Sequence, residues 1–253
     1  MTQQIPANNS NKLIYILVGA VLAAILIGGL SFILLSDDEP KTATGQTTDN
    51  DDAEATTTTK YIAPANATPC PSTDGESERK TSFEAEFQNC LTPGASYAVK
   101  MVTNKGTMEF ELDSEAAPIS VNNFVSLARN KYYDGTTFHR VIEDFMIQGG
   151  DATGEPRGTG TPGYTIIEEP PASSAAYKKG TLAMAKSAGP KATGGQFFIM
   201  GVDNSGLPPE YSVFGEITSG LETVDAIRTV EVNGETPAED VIIESVTITE
   251  TAE

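Results

Sequence analysis

Residues 97–112 read YAVKMVTNKGTMEFEL. Tyr97, Val99 and Met101 alternate with Ala98, Lys100 and Val102. Asn104, Lys105 and Gly106 turn the chain, after which Met108, Phe110 and Leu112 alternate with Glu109 and Glu111. A period of two on both sides of a short glycine-containing turn predicts a β-hairpin with one face toward a core. Pro118 then opens a helical run in which Val121, Phe124, Val125 and Ala128 share a face. Short strand-like runs follow between glycine-rich loops: TTFHRVI (136–142), DFMIQGGD (144–151), GTLAMA (180–185), QFFIMGV (196–202) and YSVFGEI (211–217). A second short helix fits 221–230, with Val224 and Ile227 inward, and a last strand fits 241–249. Many short strands and only two helices predict a mainly β fold, a closed antiparallel barrel capped at its ends.

Outward from this region, toward the N-terminus, the composition changes. Residues 1–12 are polar. Residues 13–35 (LIYILVGAVLAAILIGGLSFILL) carry no charge. As a helix they would span about 35 Å, enough to cross a hydrocarbon core of about 30 Å. A cleaved signal peptide would have a shorter apolar core and a small-residue cleavage site. This run ends in Phe32-Ile33-Leu34-Leu35, so a single transmembrane helix is predicted. Lys12 and the amino terminus flank one side, and Asp37, Asp38 and Glu39 the other. The positive-inside rule puts residues 1–12 in the cytoplasm and the rest outside it, as a single-pass protein of the cell membrane. Residues 36–59 are an acidic, Thr-rich linker, too poor in apolar side chains to offset chain entropy and therefore expected to be disordered.

Residues 60–94 are a transitional segment holding both cysteines, Cys70 and Cys90. In an oxidising compartment the pair would close a loop of about 20 residues, worth around 3 kcal/mol. Two separate thiols is the alternative reading. One histidine and two cysteines are too few for most metal sites built on those ligands, so neither a metal nor another cofactor is implied. The formal charge is −19. That balance repels nucleic acid and anionic lipid alike, and its simplest reading is solubility. No obligate protein partner is implied.

Three features invite chemistry. GTGTPG (158–163) is glycine-rich, but no Lys-Ser or Lys-Thr pair leads from it into a helix, so it reads as a turn rather than a phosphate loop. His139 sits in an apolar run with no nucleophile-elbow sequence in the chain, and reads as structural. Arg140, between Phe138-His139 and Val141-Ile142, has two readings: a satisfied salt bridge, or a guanidinium presented in an apolar groove.

FHRVIEDFMIQGGD (138–151), GTLAMAKSAGPKATGGQFFIM (180–200) and LPPEYSVFGEI (207–217) together resemble the hallmark blocks of the cyclophilins, in order and in spacing. The resemblance covers residues 95–253. The leading cysteine segment is similar to that of membrane-anchored cyclophilins of actinobacteria. The resemblance implies an eight-stranded antiparallel barrel with two capping helices. It also implies peptidyl-prolyl cis/trans isomerase activity on Pro-containing polypeptides, without a cofactor. It assigns Arg140 the role of donor to the prolyl nitrogen, with Phe145 and Gln148 as its companions. Met146, Phe198 and Leu207 complete the apolar pocket begun by Phe145. Gln196 joins Gln148 at the rim, and the backbone of Ala185 and Lys186 pairs with the peptide.

Against better-known eukaryotic members, Gly206 stands where those have tryptophan, Tyr211 where they have histidine on the pocket wall, and Lys186 where they have asparagine. The missing indole bears on high-affinity cyclosporin binding and leaves the arginine, phenylalanine and glutamine set intact. A catalytically weak binding module or scaffold for Pro-containing segments is the competing function. It has little need of a donor aimed at the imide nitrogen, so Arg140 favours the enzyme.

Overall fold

The hairpin forms where the alternation places it. In the computed structural model, which describes residues 63–74, 77–186 and 193–252, β1 (Ser96–Thr103) and β2 (Gly106–Leu112) pair antiparallel, with Val99 opposite Phe110 and Met101 opposite Met108. All four side chains are buried. A slip of one residue would turn this apolar set out to solvent, and that cost fixes the register. Helix α1 (Pro118–Arg129) follows, then β3 (Arg140–Ile142), β4 (Met146–Gly149), β5 (Thr181–Lys186), β6 (Thr193–Met200) and β7 (Val213–Ser219). Helix α2 (Leu221–Arg228), the two-residue strands β8 (Val232–Asn233) and β9 (Thr236–Pro237), and β10 (Ile243–Thr251) complete the chain.

Eight strands form one curled sheet in the order β10-β1-β2-β7-β5-β6-β4-β3. Its two edges meet. Gly135 N–H donates to Ile243 O, Ile243 N–H to Thr136 O and Phe138 N–H to Val241 O, at 2.8–2.9 Å. The TTFHRVI run is thereby divided. Residues 136–138 bond across this seam, and only Arg140–Ile142 ladders with β4. The same seam explains why β10 begins at Ile243 and not at Val241. Helix α2 ends two residues before the predicted end, at the Thr229 cap. Strand β6 starts three residues early, because Thr193 pairs with Lys186 of β5. The small β8–β9 hairpin was not legible as strand.

The cysteine segment is more than a transition. From residue 63 it folds onto the sheet and α1. Phe83 and Phe87 are buried in the main core, 5% and 2% exposed. Their rings meet each other edge-on at 4.9 Å and Tyr164 at 6.4 and 6.1 Å. Asn122 of α1 holds the segment by two bonds, donating to Gln88 O and accepting from Cys90 N–H. Helix α1 thus buries polar side chains as well as its apolar stripe: Asn122 against this segment, Ser120 against Glu169, and Asn123 against Gly194 O and the Tyr164 hydroxyl. Its N-terminal N–H groups find an acceptor in Glu169, whose carboxylate takes Ile119 N–H and Ser120 N–H at 2.9 and 2.8 Å.

A disulfide joins Cys70 to Cys90, Cα atoms 5.4 Å apart across 20 residues of sequence. Reducing it is expected to lower stability by about 3 kcal/mol, since the unfolded chain regains the entropy of that loop. Urea unfolding with and without reductant measures the effect. Coincident midpoints would show that the crosslink contributes nothing. The apolar run at 13–35 and the linker at 36–59 lie outside the described residues. Among the described residues no helix is long and apolar enough to cross a membrane.

Candidate active site

Strands β4, β5 and β6 are buried on both faces. Inward, Ile147, Leu182, Met184, Phe197 and Ile199 join the main core. Outward, Met146, Ala183, Ala185, Phe198 and Met200 form a second, smaller apolar cluster with Tyr177. The period-two geometry of the strands assigns every residue to one face or the other. The register then sets the outward residues side by side: Arg140 opposite Gln148, Gln148 opposite Phe198, Phe198 opposite Ala183. A cation, an amide and an aromatic ring thus lie in one row across three strands, with their Cα atoms fixed by the ladder.

Over this row opens a groove lined by Arg140, Phe145, Met146, Gln148, Ala185, Lys186, Phe198, Leu207 and Tyr211. It holds about 80 Å³, small beside the roughly 300–1,000 Å³ of sites for drug-sized ligands. That space suits one compact apolar side chain. Phe198 forms the floor, and Tyr211 meets it edge-on at 5.5 Å, with an interplanar angle of 88°. Tyr211 is held from below by Tyr177, whose hydroxyl donates to Tyr211 O and accepts from Tyr211 N–H. Burial pushes the Tyr177 phenol up, so it keeps the proton it donates. Lys186 reaches over the Tyr211 ring, 5.3 Å from its centroid, and pairs with Glu168 at 3.1 Å. Gly206 is exposed near this wall and adds no side chain to it.

Arg140 satisfies both readings of its sequence position. Its Nε donates to Glu235 at 2.5 Å and its Nη1 to Gln148 Oε1 at 3.4 Å, while the guanidinium still lines the groove. Gln148 in turn donates to Gln196 Oε1 at 3.0 Å. Gln196, expected at the rim, does not line the groove. It lies outward on β6, but loop 158–160 covers it and leaves it 1% exposed. Its Nε2 donates to Gly158 O and Gly160 O, both at 3.0 Å. Its role in this structure is to hold Gln148.

The GTGTPG stretch is a turn, and Asp151 shapes it. The Asp151 carboxylate accepts N–H bonds from Thr153, Gly154, Gly158 and Gly160. Burial alone would raise its pKa; the four backbone donors outweigh burial and hold it below the ordinary carboxylate value. A depressed folded pKa gives stability that is complete above the unfolded value and is lost as pH falls through the folded one. Asp151→Asn is therefore expected to be less stable than the native chain at neutral pH, with the gap closing below about pH 4. Thermal unfolding of both proteins across that range measures it. A gap that stays constant with pH would show that the charge on Asp151 is not what orders the loop.

His139 stands just before β3 and does not line the groove. Burial lowers its pKa, which keeps it neutral at pH 7. Of the ten predicted site residues, the structure gathers Arg140, Phe145, Gln148, Met146, Ala185, Lys186, Phe198, Leu207 and Tyr211 round one groove and sets Gln196 next to Gln148 under loop 158–160. Sequence reasoning missed Glu235, Glu168 and Tyr177, which support Arg140, Lys186 and Tyr211 from positions remote in sequence, and Asp151, which orders the loop over Gln196. Only Asp151 left a signal, a carboxylate just ahead of a glycine-rich loop.

The same fold occurs in known proteins. The family model described as "Cyclophilin type peptidyl-prolyl cis-trans isomerase/CLD" matches residues 98–248. Peptidyl-prolyl cis-trans isomerase B of Streptomyces anulatus is 41% identical over 165 residues, spanning 58% of this chain and 93% of that protein. A peptidyl-prolyl cis-trans isomerase of Acinetobacter baylyi is 41% identical over 143 residues, 54% of this chain and 74% of the other. A crystal structure of a cyclophilin type peptidyl-prolyl cis-trans isomerase of Cryptosporidium parvum, 32% identical, aligns with a TM-score of 0.56 over 61% of this chain and 98% of its own. A structure of that protein in the presence of the dipeptide Ala-Pro aligns with a TM-score of 0.55. A family match over more than half the chain, on a curled eight-stranded sheet whose outward row presents an arginine beside a small apolar groove, shows that this chain belongs to the cyclophilin type peptidyl-prolyl cis-trans isomerases.

Proposed function

We propose that this chain rotates X–Pro bonds of exported or envelope polypeptides from a membrane tether, by non-covalent stabilisation of the twisted imide. The observation that carries the catalytic part is Arg140, placed by β3 at the lip of the groove. Rotation about a peptide bond is slow because the C–N bond is partly double, with a barrier of about 18–20 kcal/mol. At the twisted state the amide resonance is lost, and the prolyl nitrogen gains a lone pair that can accept a hydrogen bond. With the proline ring on Phe198, beside Met146 and Leu207, the nitrogen faces the guanidinium. A donor there stabilises the twisted state more than either planar one, which is the requirement for catalysis. No nucleophile and no proton transfer are involved. The β7 ladder of β5 ends at Ala183, so the backbone of Ala185 and Lys186 runs on beside the groove, where an extended peptide can add as a strand.

The tether rests on the uncharged run at 13–35 and the acidic linker behind it. The Cys70–Cys90 bond supports the extracytoplasmic side, since disulfides persist in oxidising compartments. On this reading the protein is single-pass, with a cytoplasmic N-terminus and a likeness to membrane-anchored actinobacterial members. Thr57–Glu253 forms one compact unit. That unit is expected to accelerate X–Pro isomerisation in a short peptide. Binding of the peptide without acceleration would make the chain a binding module instead. Added protease should reach the isomerase unit on intact, wall-stripped cells, and full protection would place it in the cytoplasm.

A further inference from the structure

The β8–β9 hairpin has no place in the pocket, yet its tip touches the residue on which the chemistry depends. Asn233 pairs with Thr236, so Gly234 and Glu235 form a two-residue loop. Gly234, at φ +71°, occupies the first loop position, where a tight hairpin turn of this kind needs glycine. The hairpin is docked on β3 by its backbone: Val141 N–H donates to Glu235 O at 2.7 Å. Val141 is the neighbour of Arg140, so this single bond fixes the Glu235 Cα beside the Arg140 side chain. The Glu235 carboxylate then takes Arg140 Nε at 2.5 Å.

We propose that Glu235 is a positioning residue for Arg140: the hairpin tip clamps the Nε edge of the guanidinium so that its remaining donors face the prolyl nitrogen. The proposal rests on the catalytic role given above to Arg140. Among the described residues two bonds hold the guanidinium, and they are unequal. The bond to Gln148 is 3.4 Å, near the limit of a hydrogen bond, while that to Glu235 is short and charge-assisted. Glu235 is therefore the tighter of the two tethers. A guanidinium is a rigid planar fork, so fixing Nε fixes the direction of all five N–H groups. The ion pair itself is half exposed, with side-chain exposures of 40% and 53%. Solvent screens its Coulomb attraction, which leaves orientation as the contribution that matters. Without the clamp, a long flexible side chain at the groove lip would sample several rotamers, only some of them productive.

The test measures the on-enzyme isomerisation rate and the peptide Kd separately, by exchange NMR on the full chain in detergent micelles. Glu235→Ala is expected to lower the rate about tenfold with Kd unchanged, as loss of orientation does. Glu235→Gln keeps the length and an acceptor oxygen, and should recover to within about threefold of the native rate. The melting temperature should not move, since the residue is exposed. In an Arg140→Ala background, Glu235→Ala should cost nothing further, because the two residues act as one unit. A native rate for Glu235→Ala overturns the proposal, as does the same loss of rate in the absence of Arg140. Arg140→Ala at the native rate would remove the role of Arg140 itself, and with it that of Glu235, so the two failures are distinct.

Discussion

Replacing Arg140 by alanine is expected to lower kcat/KM for X–Pro isomerisation by about 10²–10³-fold, the usual cost of removing one preorganised donor from a developing lone pair or charge. The loss should fall on kcat. The apolar contacts that hold the proline come from Phe198, Met146 and Leu207, and they are made equally in the planar and twisted states. The Arg140 bond to the prolyl nitrogen exists only in the twisted state, so peptide affinity should change little. Arg140→Lys should recover only a small part. A lysine ammonium has no planar fork to be gripped by Glu235 on one edge and Gln148 on another. Exchange NMR on a Pro-containing peptide separates rate from affinity. A variant that binds weakly but turns over normally would assign Arg140 to recognition and not to catalysis.

Phe87→Ala is expected to destabilise the isomerase unit by about 3–5 kcal/mol, as truncations of buried aromatic side chains do. Phe87 is 2% exposed and packs against Phe83 and Tyr164. The loss is a large share of the roughly 5–15 kcal/mol that holds a typical domain folded. A fragment starting at residue 95 should suffer more. It would lose both rings, the disulfide, and the Asn122 bonds to Gln88 and Cys90, and would expose one side of α1. Urea unfolding of the native unit, Phe87→Ala and the shortened fragment gives the order. Equal midpoints for all three would show that residues 63–94 only lie on the surface and carry none of the fold's stability.

The strands were legible because each carries a signal of its own. Alternation at 97–112 sets the first hairpin. The apolar runs Leu182–Ala185 and Phe197–Met200 mark β5 and β6, which are covered on both faces by the core and the groove cluster. Boundaries failed where a segment serves two partners. Thr136–Phe138 belongs to the strand-like run that leads into β3 but bonds across the seam, because seam pairing depends on residues some hundred positions away. The segment at 60–94 failed for a related reason. Its alternation is confined to Phe83, Ala85 and Phe87, buried between Glu84 and Glu86, and what covers that short face, Tyr164 among it, is remote in the chain.

The sequence by itself determined the alternating faces of β4, β5 and β6, and therefore which side chains could share a groove. It also placed Arg140 among apolar neighbours, which made that residue worth explaining. Local pattern suffices there, since a strand shows its two faces at a period of two. Only the tertiary structure decided what surrounds those side chains. It set Glu235 against Arg140, covered Gln196 with loop 158–160, and laid Phe83 and Phe87 into the core. Each of these is a contact between residues remote in the chain. Such contacts are made only when the sheet has curled and its edges have met, and no local run of residues encodes them.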